Sequence, residues 1–384
     1  MKLPIYLDNS ATTPLDPRVV EKMLPFLREH FGNPASSTHD FGHLARRAVE
    51  EARAEVARLI GASEREIVWT SGATESNNLA IKGAAAARKE TGGHLVTLAT
   101  EHKAVLDTMK ALERVGYDVT YLAPEPSGLV SLERFEAALR PDTFLASVML
   151  VNNEIGVIQD IDAIGAICAA RGVLLHVDAA QATGKVPIDL AKSPVDFMSL
   201  TAHKTYGPKG IGALYVRRSR RTRIAAQMHG GGHEQGLRSG TLATHQIVGM
   251  GEAFRIAGEE MATEEPRIRA LRDRLWQGLK DLPEVRVNGD MQRRIANNLS
   301  LSIGIENCDV LVTSLTDVAV SSTSACSSGS AMPSHVLQAI GAEGASTLRL
   351  TVGRFNTAEE IEHAIAHLRE KLAECRARGE LQRA

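Results

Sequence analysis

Two charged residues follow apolar stretches of this sequence, at positions where a charge is costly to bury. Asp178 comes directly after residues 173–177, and Lys204 comes shortly after residues 196–200. An unpaired charge at the end of a buried strand is unfavourable. Either the two residues form a structural ion pair with each other, or both serve one ligand. Pyridoxal phosphate would need both, because its aldehyde requires a lysine and its ring nitrogen requires an acid.

The turn at residues 71–75 has the composition of a phosphate site at the start of a helix. It reads SGATE and follows the apolar stretch 67–70. Small residues let the backbone approach a ligand, and the free N–H groups of a helix start attract an anion. The alternative is an ordinary capped turn in which Thr74 supplies the capping hydroxyl. A cofactor phosphate would explain this turn together with Asp178 and Lys204, whereas the ion pair would leave it unexplained.

His102 begins a predicted helix after another apolar strand, so we expect it at the same edge of the sheet. An imidazole there can stack on a planar ring and move protons near neutral pH. A surface histidine without a role is the alternative, and only the other site residues favour the functional interpretation. His39 and His43 are four residues apart, but no third ligand is evident, so we predict no metal site.

Cys326 lies in a stretch of small polar residues, 321–330, which is typical of an accessible loop. Accessible thiols that can ionise are the reactive ones, whereas buried thiols are inert. Cys168 stands in an apolar helical pattern, and Cys308 and Cys375 have no comparable setting. We therefore predict that Cys326 is the nucleophile.

The composition excludes several classes of protein. The chain has 384 residues, 43% of them apolar, and a formal net charge of −2. This length suggests two domains, and the balanced charge argues against a nucleic-acid partner. No apolar run reaches the ~20 residues that span a bilayer, and the first residues do not resemble a secretory signal. Four scattered cysteines predict neither a disulfide framework nor a zinc site. We expect a cytoplasmic protein without a membrane partner.

The elements that must position these residues alternate between strand and helix from about residue 65 to 216. This pattern predicts a parallel sheet covered by helices on both faces, with ligands at the carboxyl ends of its strands. We expect a helix at 247–257 and a separate helix that opens at Glu264 and could begin a second domain. Later come a strand at 298–303, a helix at 309–315, a strand at 348–352 and a last helix with a capping box at Thr357. The arginine-rich stretch 217–223 is predicted to be a solvated surface loop, and a docking site for an acidic partner is the alternative.

Together these motifs resemble the cysteine desulfurases of the NifS/IscS group, and most closely the IscS-like ones. These are pyridoxal-phosphate enzymes of aminotransferase fold type I in the class V aminotransferase family. The matching segments cover nearly the whole chain in order: residues 6–14, 71–76, 101–103, 151–156, 176–181, 203–210, 238–241 and the loop around Cys326.

The resemblance implies roles for individual residues. Lys204 would hold the cofactor covalently and then carry protons, and His102 would stack on its ring and assist. Asp178 would pair with the ring nitrogen, and Gln181 would bond the ring hydroxyl. The implied phosphate ligands are Thr74, Thr201, His203 and, from a second subunit, Thr241, and Ala73 would also bind the cofactor. Asn153 and Arg349 would hold the substrate carboxylate, and Cys326 would take the sulfur of L-cysteine as a persulfide, leaving L-alanine.

The resemblance also implies an α/β architecture with a seven-stranded, mainly parallel sheet and a smaller C-terminal α/β domain. The large domain would be residues 16–260, and residues 1–15 with 261–384 would form the small domain. A homodimer is implied, with delivery of sulfur to acceptors such as an iron–sulfur scaffold protein. A selenocysteine lyase or another enzyme of the same fold, such as an aminotransferase, is an alternative; a non-catalytic scaffold or regulator is a further one.

Overall fold

The computed structural model describes residues 2–88, 92–305, 308–322, 334–342, 346–379 and 381. The predicted nucleophile Cys326 lies outside the described residues. Among those that are described, no helix has the combination of length and apolar character that crossing a bilayer requires.

The main sheet has seven strands, and six of them run in the same direction. The strands are β2 (Ile67–Thr70), β3 (His94–Leu98), β4 (Asp118–Leu122), β5 (Thr143–Met149), β6 (Leu174–Asp178), β7 (Phe197–Thr201) and β8 (Gly212–Val216). Their order is β2-β8-β7-β6-β5-β3-β4, and only β8 is antiparallel to its neighbours. The central strands β5 and β7 are buried along their whole length, as strands covered on both faces must be. The predicted seven-stranded, mainly parallel sheet is confirmed.

Helices cover both faces of this sheet. They are α1 (Pro17–Arg28), α2 (Asp40–Leu59), α3 (Ala73–Ala86), α4 (Lys103–Glu113), α5 (Leu132–Ala137) and α6 (Ile161–Ala170). One large apolar cluster contains residues of α2, α6 and the sheet, and another packs α3 and α4 against the opposite face. Because every parallel connection passes over a face, the carboxyl ends of β3, β5, β6 and β7 meet at one edge.

The helix α7 (Thr244–Gln277) corrects one prediction from the sequence. We expected one helix to end near residue 257 and another to open at Glu264, but a single helix of 34 residues runs through Pro266. A proline normally disrupts a helix interior. Here the two ends of α7 are buried in different cores, with Phe254 in the large cluster and Leu275 in a second one. Tertiary packing on both sides of Pro266 therefore overrides the local signal.

The remaining strands form two smaller sheets. An antiparallel sheet has the order β12-β13-β10-β9, and β1 pairs with β11 in parallel. The bounds are β1 (Ile5–Tyr6), β9 (Val285–Val287), β10 (Asn298–Ile303), β11 (Val318–Ala319), β12 (Ser321–Ser322) and β13 (Ser346–Thr351). The helices are α8 (Cys308–Ser314), α9 (His335–Ala339) and α10 (Ala358–Ala377), and the predicted capping box of Thr357 and Glu360 is confirmed at α10.

The second apolar core unites the beginning and the end of the chain. It contains Ile5 and Leu7 together with buried residues of α7, β10, β13 and α10. The predicted domain boundary at 260/261 falls inside α7, and the division into two domains stays a prediction.

The arginine-rich stretch 217–223 is only partly the solvated loop that the sequence predicts. Arg217 donates to the backbone carbonyls of Leu190, Ser193 and Val195. Arg221 forms an ion pair with Asp196, a fully buried carboxylate. Two of the five arginines therefore hold the connection that leads into β7, because a buried carboxylate and unpaired carbonyls need donors.

Candidate active site

A cavity of about 500 Å³ opens at the edge of the sheet where β6 and β7 end. Its wall also includes the start of α3, the start of α4 and residues near the N-terminus. The predicted site residues that line it are Ala73, Thr74, His102, Asn153, Asp178, Gln181, Thr201, His203 and Lys204. The structure thus brings together nine side chains that the sequence places on separate segments.

Asp178 is the last residue of β6, and two donors fix its buried carboxylate. The side-chain amide of Asn77 donates to Oδ2 at 2.7 Å, and the backbone N–H of Ala180 donates to Oδ1 at 2.9 Å. These two hydrogen bonds, from different parts of the chain, fix the orientation of the carboxylate. Asp178 can therefore face a cationic group in the cavity without first changing its rotamer.

Lys204 lies in a tight turn just after β7, and the N-terminal segment holds this turn. Thr13 donates its backbone N–H and its hydroxyl to the carbonyl of His203, at 2.8 and 3.0 Å. The same hydroxyl accepts the N–H of Tyr206 at 2.8 Å, and Tyr206 adopts a positive φ of 60°. The backbone on both sides of Lys204 is thus fixed, which orients its side chain into the cavity.

The two histidines of the site stay neutral near pH 7. Burial lowers the pKa of His203 to about 4, and the neighbouring charge of Lys204 contributes. Desolvation by the surrounding protein also lowers the pKa of His102. The side chain of His102 is exposed to the open cavity. His102 caps α4, and its Nδ1 accepts the N–H of Ala104 at 3.1 Å. Its proton is therefore on Nε2 when the ring is neutral.

The start of α3 offers the backbone donors of an anion site. The first hydrogen bond of this helix runs from the N–H of Ser76 to the carbonyl of Gly72, so the N–H groups of Ala73 and Thr74 have no partner within the helix. Gly72 has a φ of 150°, which only glycine adopts readily. The hydroxyl of Thr201 approaches the same point from β7. This arrangement can hold a phosphate.

Asn153 lines the cavity, and Arg349 lies beside it without being among the lining residues. Arg349, on β13, donates to the carbonyl of Asn153 at 3.0 Å and to the carboxylate of Asp8 at 2.8 Å. Its Nε and the Oδ1 of Asn153 are buried without a hydrogen-bond partner among the described residues. Such polar atoms are costly unless a ligand or water satisfies them. They are therefore suited to hold a polar substrate group.

Gln181 and Thr241 differ in their position relative to the cavity. Gln181 lines the cavity, and its amide donates to the carbonyl of Ser10 at 2.8 Å, which leaves its oxygen as an acceptor. Thr241 is exposed and is not among the residues that line the cavity of this single chain.

The sequence did not indicate the buried amide of Asn77, which lines the cavity, or the buried ammonium of Lys185, which is not among the residues that line it. Asn77 lies on α3 one turn after Thr74, so helical spacing could have placed it at the same edge. The side chain of Lys185 is partly exposed, but its ammonium is buried without a hydrogen-bond partner among the described residues. Burial, with the charge of Lys204, lowers its pKa to about 7. No local pattern in the sequence indicates this burial.

These features fit pyridoxal phosphate. The cavity combines a lysine, a fixed carboxylate, a histidine that can stack on a ring, and a helix start with free donors. The buried oxygen of Asn153, which has no hydrogen-bond partner among the described residues, offers a further polar contact in the same cavity.

Comparisons with known proteins agree with this geometry. The model of the aminotransferase class-V family matches residues 5–363. Cysteine desulfurase IscS of Methylobacillus flagellatus is 64% identical over 380 residues, which are 98% of this chain and 94% of that protein. Cysteine desulfurase IscS of Escherichia coli O139:H28 is 58% identical over 381 residues, with the same coverage of both chains.

Solved structures give the same result. A NifS-like protein superposes with a TM-score of 0.90 at 37% identity, covering 97% of this chain and all of that one. SspA in complex with cysteine superposes with a TM-score of 0.81 at 39% identity, covering 92% of this chain and all of that one. The predicted resemblance and fold class are confirmed: the chain belongs to the class V aminotransferase family, among the cysteine desulfurases of the NifS/IscS group.

Proposed function

We propose that this protein is a pyridoxal-phosphate-dependent cysteine desulfurase that converts L-cysteine to L-alanine and takes the sulfur onto its own Cys326 as a persulfide. The observation that carries the proposal is the single cavity in which Lys204, Asp178 and His102 meet the start of α3. When bound, pyridoxal phosphate supplies an electron sink that stabilises negative charge at the substrate α-carbon.

The chain's own residues would bind and orient this cofactor. Lys204 would bond to its aldehyde, and Asp178, fixed by two donors, would keep the ring nitrogen protonated. Gln181 has a free oxygen for the ring hydroxyl, and His102 can stack on the ring. The phosphate ligands would be Ala73, Thr74, Thr201, His203 and the Thr241 of a second subunit. The neutral state of His203 suits a hydrogen-bonding role.

Substrate binding and sulfur transfer would use a second set of residues. Asn153 and Arg349 would hold the carboxylate of L-cysteine, for which a guanidinium has the right planar geometry. The amine of Lys204 and the Nε2 of His102 would move protons at the substrate carbons. The thiolate of Cys326 would then attack the substrate sulfur, so that an S–S bond forms as the C–S bond breaks. Alanine keeps the carbon skeleton, and the persulfide keeps the sulfur.

A homodimer would complete the site. Its support is the exposure of Thr241 and a pair of stacked aromatic side chains on the surface. The rings of Phe31 and Phe41 are 5.3 Å apart, and the two residues are 73% and 55% exposed. Adjacent exposed aromatic residues are typical of a protein interface. We place an equivalent chain on this surface.

Two further parts of the proposal concern the domain organisation of the chain and the destination of the sulfur. Residues 16–260 would form the large domain, and residues 1–15 with 261–384 the small one, which is supported by the two separate apolar cores. The protein would act in the cytoplasm and deliver its persulfide sulfur to acceptors such as an iron–sulfur scaffold protein, as the name IscS of its relatives suggests.

The test compares the purified protein with two variants. The wild type should be yellow and release alanine and sulfide from L-cysteine with a reductant. Cys326→Ala should keep the colour and lose sulfide release, whereas Lys204→Ala should lose the covalently bound cofactor. Full sulfide release by Cys326→Ala would refute the assignment of the nucleophile. Release of selenide from selenocysteine, without turnover of L-cysteine, would change the substrate.

A further inference from the structure

Ser334 connects the start of α9 to the turn that carries Asn153. Its hydroxyl oxygen accepts the N–H groups of Val336 and Leu337, at 3.2 and 3.3 Å. Its hydrogen bond to Oε2 of Glu154 is 2.5 Å long. Because the oxygen already serves as the N-cap acceptor, the hydroxyl proton goes to Glu154. Both side chains are buried, so this hydrogen bond is sheltered from water.

The turn at residues 152–156 is held firmly on its other sides. Asn298 donates to the carbonyl of Glu154 at 3.2 Å, and Arg349 donates to the carbonyl of Asn153 at 3.0 Å. The side-chain oxygen of Asn152 accepts the N–H of Glu154 at 2.9 Å. Ser334 therefore attaches to a rigid part of the site, next to a residue that we propose to bind substrate.

His335 makes a second attachment on the opposite side. Its Nε2 lies 2.9 Å from the carbonyl of Glu101 and must donate, because a carbonyl only accepts. Glu101 directly precedes His102, and its fully buried side chain accepts the N–H of Met149 at 2.7 Å. Burial also raises the pKa of Glu101 well above its ordinary value. The apolar side of α9 packs with the same region of the site.

Two consecutive residues, Ser334 and His335, are thus bonded to the chain neighbours of two site residues, Asn153 and His102. Ser334 follows Cys326 by eight positions in the sequence. Ser334 can cap the short helix α9 without a carboxylate as a further partner. Burying the carboxylate of Glu154 is costly unless it is hydrogen-bonded. This arrangement has a use if Ser334 must stay at one defined place beside the substrate-binding turn during sulfur transfer.

We propose that Ser334 and Glu154 are positioning residues for the sulfur-transfer step: their hydrogen bond fixes Ser334, eight positions after Cys326, against the substrate-binding turn. The inference rests on the proposed role of Cys326. Neither residue touches the reacting atoms. They act through the placement of the nucleophile's segment, and a small misplacement of a reacting group costs a large factor in rate.

The experiment uses the cofactor-loaded enzyme and variants at both ends of the bond. Ser334→Ala and Glu154→Leu should lower kcat about tenfold or more, with KM for L-cysteine and cofactor absorption unchanged. Ser334→Thr and Glu154→Gln keep the donor and an acceptor, so they should retain most of the activity. The double variant S334A/E154L should lose no more than either single variant, because one bond is removed in each.

Ser131→Ala is the matched control. Ser131 caps the short helix α5, its hydroxyl accepting the N–H of Arg134 at 3.3 Å, and it is not among the residues that line the cavity. It should lower the melting temperature slightly and leave kcat unchanged. If Ser334→Ala behaves like Ser131→Ala, or if the losses of S334A and E154L add fully, the inference is wrong.

Two other outcomes have distinct meanings. If Ser334→Ala does not fold, the comparison of Glu154→Gln with Glu154→Leu decides, and equal activity of these two contradicts the inference. If Cys326→Ala keeps full turnover, the proposed nucleophile is wrong, whatever the Ser334 variants do. The failure of the proposed function can therefore be told from the failure of this inference.

Discussion

The amide of Asn77 donates a 2.7 Å hydrogen bond to the carboxylate of Asp178, and both side chains are buried. They come from different elements, α3 and β6, and both residues line the cavity. The amide oxygen of Asn77 has no hydrogen-bond partner among the described residues. The helix that offers its start to a phosphate thus also orients the acid that would face the ring nitrogen.

Replacing Asn77 should weaken cofactor binding. Asn77→Leu removes a donor to a buried carboxylate, and hydrogen bonds to charged groups contribute about 1.5–3 kcal/mol. We expect the dissociation constant for pyridoxal phosphate to rise about tenfold, measured by titrating the apoenzyme. Thr97→Val is the control, because it removes a buried hydrogen bond to the carbonyl of Ser147, and neither residue is among those that line the cavity. Equal affinity of Asn77→Leu and the wild type would show that Asp178 needs no such support.

Arg349 should control the affinity for substrate. Arg349→Lys keeps the charge but loses the planar pair of donors, so KM for L-cysteine should rise about tenfold or more. The absorption of the bound cofactor should stay the same, because Arg349 is not among the residues that line the cavity. Steady-state kinetics give KM and kcat separately. A fall in kcat at constant KM would assign Arg349 to a later step.

Two of the cysteines should resist alkylation in the native protein. Cys168 and Cys375 are both buried, and burial raises the pKa of Cys168 to about 12. At pH 7.5 almost none of the Cys168 thiol is ionised, and only the thiolate reacts. Mass spectrometry after a short treatment with iodoacetamide should find Cys326 modified and these two intact, and unfolding in urea should expose all three. Equal native labelling of Cys168 would contradict its burial.

His176 should make the fold less stable in acid. It is fully buried between β5 and β7, bonded to Ser147 and Ser199, and burial lowers its pKa to about 4. The unfolded chain, with an ordinary pKa near 6.5, binds the proton first. The stabilisation is therefore complete above about pH 6.5 and declines as the pH falls towards 4, by up to about 3 kcal/mol.

The measurement is urea unfolding at a series of pH values between 4 and 8. His176→Gln should unfold with a weaker pH dependence than the wild type over this interval. His43→Gln, which removes a histidine from the surface helix α2, is the control. An identical slope for His176→Gln and the wild type would mean that this histidine does not titrate between the folded and unfolded states.

The aromatic pair Phe31 and Phe41 should be needed for dimer formation. Light scattering should give twice the chain mass of 41.3 kDa for the wild type. Phe41→Asp places a charge in an apolar contact and should shift the mass towards one chain. Val115→Asp is the matched control, since Val115 is 68% exposed and lies after α4, on another element. A dimer that persists in Phe41→Asp would place the interface elsewhere.

The sequence predicted the sheet well because its strands are short, apolar and bounded by turn residues. The strands 67–70 and 298–303 were predicted at the observed bounds. The continuity of α7 could not be predicted, because a local pattern with Pro266 indicates a break. Each end of that helix packs against residues that are distant in sequence, and this packing keeps the helix continuous.

The site was predictable where a charge stands after an apolar strand, as with Asp178 and Lys204. It was not predictable where a residue acts by a contact across the fold. The resemblance implied Arg349 as a site residue, but not its ion pair with Asp8, 341 positions away, nor the hydrogen bonds of Thr13 to the turn of Lys204. Arg217 and Arg221 similarly looked like surface charges, because the carbonyls and the carboxylate they serve are remote in sequence.

The helix α7 has a practical consequence for dissecting the molecule. At 1.5 Å per residue its 34 residues extend about 51 Å, and it contributes buried side chains to both apolar cores. A cut between residues 260 and 261 would leave each fragment with half a helix and an open apolar surface. The two halves should therefore not be obtainable as separate soluble proteins, and a split enzyme or a fusion insertion should be designed in a surface loop instead.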